Sequence, residues 1–227
     1  MKLAIIVPVL DEAPVIAATL RALRAADPTA TIVVVDGGSR DGSCAVARPL
    51  CDRLIEAPRG RAVQMNAGAA TAAGADVFAF VHADTRVPIT FARAIEQALS
   101  DPRAVGGRFD LDLDDPAWRY RMLAALINLR SRLMRSATGD QAIFVRRDSF
   151  VRLGGFREID LCEDVDFVRR LRRCGRLVCL RERVVTSARR WRRGGFLRTI
   201  LRMWIIKSLF LAGASPAWLR RHYVDAR

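Results

Sequence analysis

No Cys-x-x-Cys pair and no metal-ligand spacing links the five cysteines, Cys44, Cys51, Cys162, Cys174 and Cys179, and their number is odd. This pattern gives little support to a disulfide framework or a zinc ribbon, so reduced thiols in a cytoplasmic protein are expected. The N-terminal segment is expected to be a first strand, not a secretory leader. "MKLAIIVPVLDE" has one positive charge and a short apolar run, but Asp11 and Glu12 stand where a small-residue cleavage site is needed. No apolar run reaches the roughly 18 residues of a spanning helix, because Arg198, Arg202 and Lys207 interrupt the C-terminal "FLRTILRMWIIKSLFLAGASPAWLRRHY". G-x-G-x-x-G does not follow the first apolar run and no P-loop is present, which excludes the two common glycine-rich phosphate cradles.

Negative charge is what the last quarter lacks. Residues 169–227 hold 17 Lys or Arg against Glu182 and Asp225, a net of +15 within a total of +14. The first 168 residues are therefore close to neutral, and the cationic stretch is the part expected to face an anionic partner. The tail, 194–227, reads as a basic, apolar helical segment. It is expected to rest on the domain or on a second subunit. An anionic membrane surface, met by residues 169–227 at the inner face of the membrane, is the other candidate; nucleic acid is not an expected partner.

What remains is a chain of 227 residues, 51% hydrophobic, long enough to bury the core of one large domain. "LAIIVPVL", "ATIVVVDGGS", "DRLIEAP" and "DVFAFVHAD" have the length and apolar content of buried strands. "PVIAATLRALRAA", "DGSCAVARPLC", "GRAVQMNAGAATAA" and "PITFARAIEQALSD" have the character of helices between and after them. Strands separated by single helices predict right-handed crossovers: an α/β fold with a mostly parallel central sheet and helices on both faces. Ligands are then expected outside the carboxyl ends of the strands.

The chemistry-bearing residues fall there. Asp11 and Glu12 follow the first strand, Asp36, Gly37, Gly38 and Ser39 the second, Arg59, Gly60 and Arg61 the third, and His82 and Asp84 the fourth. A carboxylate abutting a buried run is costly without a partner or cation. Asp36 can accept from the imino N–H of a uracil or guanine edge. With no glycine-rich cradle, a divalent cation on a strand-end carboxylate, Mn2+ or Mg2+ on Asp84, is the economical way to neutralise a diphosphate.

"IIVPVLDE", "VVVDGGSRDGS", "RGRAVQMNAG", "FVHADT", "TGDQAIFVRR" and "CEDVDFVRRLRRCG" resemble, in order and spacing, the family 2 glycosyltransferases of the GT-A fold, over about residues 3–193. The look is that of a short bacterial branch. The resemblance implies a GT-A domain over 1–193, with a nucleotide-sugar half at about 1–100 and an acceptor half at about 101–193. It implies a hexosyltransferase that takes a nucleotide-diphosphate sugar, UDP-linked before GDP-linked, uses a divalent metal, inverts the anomeric carbon, and serves an unspecified acceptor.

Carried over by motif, Pro8, Leu10 and Glu12 border the base and ribose, Asp36 reads the base edge, and Ser39 and Arg61 line the nucleotide pocket. Asp84 is the metal-coordinating aspartate of the D-x-D element. His82 stands where that element's first carboxylate belongs, a departure that leaves it a ribose or water-mediated contact. Asp164 matches the catalytic base and Glu163 its acceptor-orienting neighbour, both in the acidic first turn of a helix, where the dipole favours carboxylates. Gly139, Asp140 and Gln141 belong to the acceptor-side segment. Arg189 and Arg190 are candidates for clamping the leaving diphosphate, and Trp191 for stacking on a sugar or packing the tail. The rival readings are a degenerate, non-catalytic module that docks on membranes or other anions, and a sugar nucleotidyltransferase. The latter needs a glycine-rich, basic signature that "VPVLDEAPV" lacks.

Overall fold

The computed structural model describes residues 1–222; the last five residues of the expected tail lie outside them. Eight strands form one sheet: β1 (Leu3–Val9), β2 (Thr31–Asp36), β3 (Arg53–Glu56), β4 (Val77–Phe80), β5 (Thr85–Arg86), β6 (Ala104–Leu113), β7 (Ile143–Arg146) and β8 (Arg176–Thr186). Their order is β3-β2-β1-β4-β7-β6-β8-β5. The β3-β2-β1-β4 half is parallel, as the sequence predicts. Beyond it β7 runs antiparallel to both β4 and β6, β8 is parallel to β6, and β5 pairs antiparallel with β8, so the sheet is mixed.

The continuous apolar strands are explained by a core on each face of the sheet. Ile5, Val7, Ile32, Val34, Val77 and Ala79 point to one core, shared with Ile16, Leu20 and Leu23 of helix α1 (Ala13–Ala26). Their alternate neighbours Ala4, Ile6, Val33, Val35, Phe78 and Phe80 point to the other, with Ala62, Met65 and Ala69 of a later helix. Period-2 alternation thus fills both faces, and every strand residue can be apolar. Phe80, Phe156 and Phe167 pack there with ring centroids 4.8 and 4.3 Å apart.

The remaining helices are α2 (Ser43–Ala47), α3 (Arg61–Thr71), α4 (Phe91–Ala98), α5 (Trp118–Leu133), α6 (Arg147–Arg152), α7 (Glu163–Leu171), α8 (Arg189–Gly194), α9 (Phe196–Leu211) and α10 (Pro216–His222). The second helix is shorter than expected. It gives way to a 3-10 turn over Arg48–Leu50, where Pro49 has no N–H to continue the ladder. β4 stops at Phe80 rather than Asp84, and Thr85 N–H bonds the His82 carbonyl at 3.1 Å to close a turn.

The charge boundary at residue 169 is not a structural one: it falls inside α7, and β8 beyond it is an inner strand of the sheet. Phe196, Ile200 and Met203 of α9 rest on the first core. No helix of the described residues is long and apolar enough to cross a membrane.

Candidate functional site

Two loops form the floor. After β1, Asp11 adopts a left-handed backbone (φ 53°), and the chain is tied to the loop after β2 at four points. Asp11 N–H bonds Ser39 Oγ (3.0 Å), Arg40 N–H bonds Asp11 Oδ1 (2.8 Å), Glu12 N–H bonds Ser43 Oγ (2.8 Å) and Ala13 N–H bonds Asp41 Oδ2 (2.9 Å). Asp36 is buried, and its carboxylate accepts from Gly38 N–H, Ser39 N–H and Ser39 Oγ. Gln64 is buried beneath, its amide donating to the carbonyls of Val9 (2.9 Å) and Val35 (2.8 Å), which pins the ends of β1 and β2 together.

Above this floor a cleft is lined by Pro8, Leu10 and Glu12 from β1 and its loop, Arg61 and Gln64 from α3, and His82 and Asp84 from the β4 turn. Asp140 and the stretch Thr186–Trp191 complete it. Thr19 Oγ1 donates to the Ala83 carbonyl at 2.7 Å and fixes the turn between His82 and Asp84. Arg189 reaches across 177 residues of sequence to place one guanidinium nitrogen on both oxygens of Glu12, at 2.8 and 2.9 Å. The same nitrogen lies 3.6 Å from Asp84, too long for a hydrogen bond. Glu12 strengthens the protonation of Arg189, with Asp84 and Asp114 adding to it. Trp191 is buried in the first core while still lining the cleft, and its indole N–H has no hydrogen-bond partner among the described residues.

His82 does not stand alone. Its Nδ1 lies 3.1 Å from Asp140 Oδ1. Burial would raise the Asp140 carboxyl, but the bond from His82 and the charges of Arg190, His82 and Arg61 outweigh it and hold it well below the usual carboxylate range.

Asp140 belongs to a 3-10 turn, Gly139–Gln141, whose first N–H donates to Asp164 Oδ2 at 2.6 Å. Asp164 is thus tied to the turn that carries Asp140, although neither Asp164 nor Gly139 lines the cleft itself. Glu163 and Asp164 occupy the first turn of α7, after Cys162 in a left-handed conformation (φ 65°). Burial, then the charge of Asp164, raises the Glu163 carboxyl, with Arg61 opposing. Burial and the same two carboxyls push the Cys162 thiol up to about 12, so it stays neutral. All five cysteines are free.

A second cavity adjoins the first across their shared residues Leu10, Arg61 and Gln64. It is lined further by Arg59, Glu158, Asp160, Glu163 and, from α10, Arg220. On the far side of Asp164 lie two buried cations. Arg130 Nε of α5 and Lys207 Nζ of α9 have no hydrogen-bond partner among the described residues. Burial, then the charge of Arg130, brings Lys207 down to about 8, with Asp164 and Cys162 opposing.

Ten of the sequence-predicted residues therefore line one cleft: Pro8, Leu10, Glu12, Arg61, His82, Asp84, Asp140, Arg189, Arg190 and Trp191. Asp36 and Ser39 lie beneath it as the ordered loop. Gln141 does not face the site as expected. It is fully buried, its amide oxygen accepting from Thr138 N–H (3.2 Å) and its nitrogen donating to Ser131 Oγ (3.1 Å), so both ends are consumed in fixing the turn. Gln64, Arg130 and Lys207 were not anticipated. Gln64 lies in the quoted "RGRAVQMNAG", but nothing in that string marks a glutamine whose partners are backbone carbonyls.

Among the described residues no group of three or more His, Cys, Asp or Glu could hold a metal by itself. Asp84 offers one carboxylate in the cleft, a donor set that suits a hard cation completed by substrate phosphates and water.

The family model described as glycosyl transferase family 2 matches residues 4–159. Among curated proteins none is significantly similar. Among solved structures, the mannosyltransferase PcManGT from Pyrobaculum calidifontis, in complex with GDP-Man and Mn2+, is 21% identical with a TM-score of 0.69, over 95% of this chain and 66% of that one. TarS 1–349 from S. aureus, in complex with UDP-GlcNAc, is 16% identical with a TM-score of 0.67, over 82% of this chain and 58% of that one. The chain spans less than two thirds of either neighbour, and at these identities the likeness is one of fold.

Proposed function

The chain belongs to glycosyl transferase family 2 and has a GT-A-type fold, and we propose that it moves a sugar from a nucleotide diphosphate to an acceptor hydroxyl with inversion. The observation that carries this reading is the convergence of Glu12, Arg61, Asp84, Arg189 and Arg190 on one cleft at the carboxyl ends of β1 and β4. Three guanidinium groups and one outward carboxylate suit a diphosphate. That neighbours of this fold were captured with GDP-Man and with UDP-GlcNAc supports a nucleotide-sugar donor and leaves either base open.

In this reading the base lies against Pro8 and Leu10. Asp36, already accepting from Gly38 and Ser39, acts by holding the loop that borders it. A Mn2+ or Mg2+ ion on Asp84 would supply Lewis-acid neutralisation of the diphosphate. Arg61, Arg189 and Arg190 stabilise the charge that grows as the sugar–phosphate bond breaks. Arg189 must then exchange part of its hold on Glu12 for phosphate oxygen. Trp191 offers part of its ring to the cleft wall, while its indole N–H is buried away from it.

Asp164 is the base. Its Oδ2 is oriented by Gly139 N–H, and it takes the acceptor proton as the hydroxyl oxygen attacks the anomeric carbon and the nucleotide diphosphate departs. Glu163, whose carboxyl burial pushes up, is suited to hydrogen-bond the acceptor beside it.

A thermal-shift screen of UDP- and GDP-sugars with and without Mn2+ is expected to show a raised midpoint for one nucleotide class, larger with metal. Turnover of that sugar nucleotide should fall by about 10²–10⁴ in Asp164→Asn. Normal turnover in that variant would remove the base assignment, and absence of any nucleotide-sugar shift would favour a non-catalytic docking module.

A further inference from the structure

α5 and α9 lie side by side. Tyr120 near the start of α5 meets Phe196 at the start of α9, ring centroids 5.4 Å apart, and Arg130 and Lys207 near their other ends feel each other's charge. The two helices run in the same direction and rest their inner faces on one core, through Tyr120, Leu123 and Ala124 of α5 and Phe196, Ile200 and Met203 of α9. Their outer faces therefore look to the same side of the molecule.

Those outer faces are apolar. Trp118, Met122, Leu126, Leu129 and Leu133 recur at three- and four-residue intervals along α5. Leu197, Leu201, Trp204, Ile205 and Leu209 do so along α9, and Trp218 extends the patch onto α10. All eleven are between 38 and 78% exposed. On an ordinary helix this is the stripe that faces a core. Here each helix already has a buried stripe, and a second one lies in the open, where a contiguous patch marks an interaction surface.

Two further observations say what covers it. Three of the four tryptophans are on this face, the residue type that favours the boundary between apolar and wet. The three helices carry no acidic residue, and four of their arginines, Arg119, Arg121, Arg198 and Arg221, are exposed, whereas Arg132 is bound to Asp110 and Arg130 Nε and Lys207 Nζ are buried. Pairing two copies through this face would bring these exposed guanidinium groups against their counterparts, with no carboxylate on the three helices themselves. Anionic lipid headgroups would meet the exposed arginines with opposite charge, while no helix of the described residues is long and apolar enough to span.

We propose that α5, α9 and α10 together form a platform that seats the protein on the surface of an anionic bilayer, their apolar stripes in the headgroup layer. The cationic segment recognised in the sequence is half of this surface; α5, from the middle of the chain, is the other half. The inference stands independently of sugar transfer.

The test is co-sedimentation of the full chain with vesicles of phosphatidylcholine alone and of phosphatidylcholine with phosphatidylglycerol at 3:1. Binding is expected with the anionic vesicles, at least tenfold weaker with the neutral ones and in high salt. Leu126→Glu on α5 and Trp204→Glu on α9 should each reduce binding about tenfold with unchanged circular dichroism, and tryptophan emission should shift to the blue on vesicle addition. Failure to bind anionic vesicles, or binding unaffected by Leu126→Glu, would overturn the two-helix platform. So would a stable dimer in size-exclusion chromatography that Trp204→Glu dissociates.

Discussion

Gly139 gives its backbone N–H to Asp164 Oδ2 at 2.6 Å, while a methyl group on its α-carbon would meet His82 Nε2 at 2.5 Å. The residue is small because it is wedged between a strand-end histidine and a helix-start carboxylate, and any side chain must separate them. Gly139→Ala is expected to keep the fold and lose roughly 100-fold in transfer, the order of effect that an ångström of misplacement has on a reacting group. Turnover of the donor identified by thermal shift, alongside circular dichroism, checks it; wild-type rates would show that the Gly139 contact does not position Asp164.

Arg189 shares one guanidinium between Glu12 and the neighbourhood of Asp84. Arg189→Ala is expected to raise the donor KM about tenfold or more, the worth of one charge-assisted hydrogen bond. Arg189→Lys should recover only part of the loss, since an ammonium lacks the planar fork. Wild-type kinetics in the Lys variant would show that charge alone suffices there, and wild-type kinetics in both variants that neither property matters.

Lys207 is brought down to about 8 from 10.5, chiefly by burial. Between about pH 8 and 10.5 the unfolded chain binds this proton and the folded chain does not, so stability rises with pH across that window. Below about 8 both states are protonated and the folded state carries the full cost of the buried charge. Lys207→Met is therefore expected to raise Tm at pH 7 by roughly 3–6 °C, with the difference from wild type narrowing toward pH 10. A difference independent of pH would assign the effect to packing.

Asp110 accepts from Arg132 at 2.6 Å and pairs with Arg108, which is almost fully buried on β6. Removing the carboxylate leaves a guanidinium uncompensated in the interior. Asp110→Ala should lose about 3–5 kcal/mol, read as a lower urea midpoint at unchanged slope.

The donor half was legible because its signals are local: each apolar run ends on polar residues, and a parallel sheet brings those ends to one rim. Arg189, Arg190 and Trp191 stood out as a basic loop around a tryptophan, and only the fold brings Arg189 against Glu12, 177 residues away. Gln141 was misread because polarity within a motif suggests exposure, whereas its amide is consumed by Thr138 and Ser131. β6 and β8 went unread as strands, and with them the antiparallel pairings of β6 with β7 and of β8 with β5 that help make the sheet mixed. The outer stripe of α5 was invisible for another reason: periodicity reports that a helix has an apolar face, not that it has two.

The four hydrogen bonds between the loops after β1 and β2 make the floor of the cleft a rigid shelf, and across it the segment leading into the C-terminal helices is moored by Arg189. In the proposed function a bound diphosphate competes for that mooring. Occupancy of the cleft and the attachment of α8 and α9 thus draw on the same side chain, so filling the one adjusts the tension on the other.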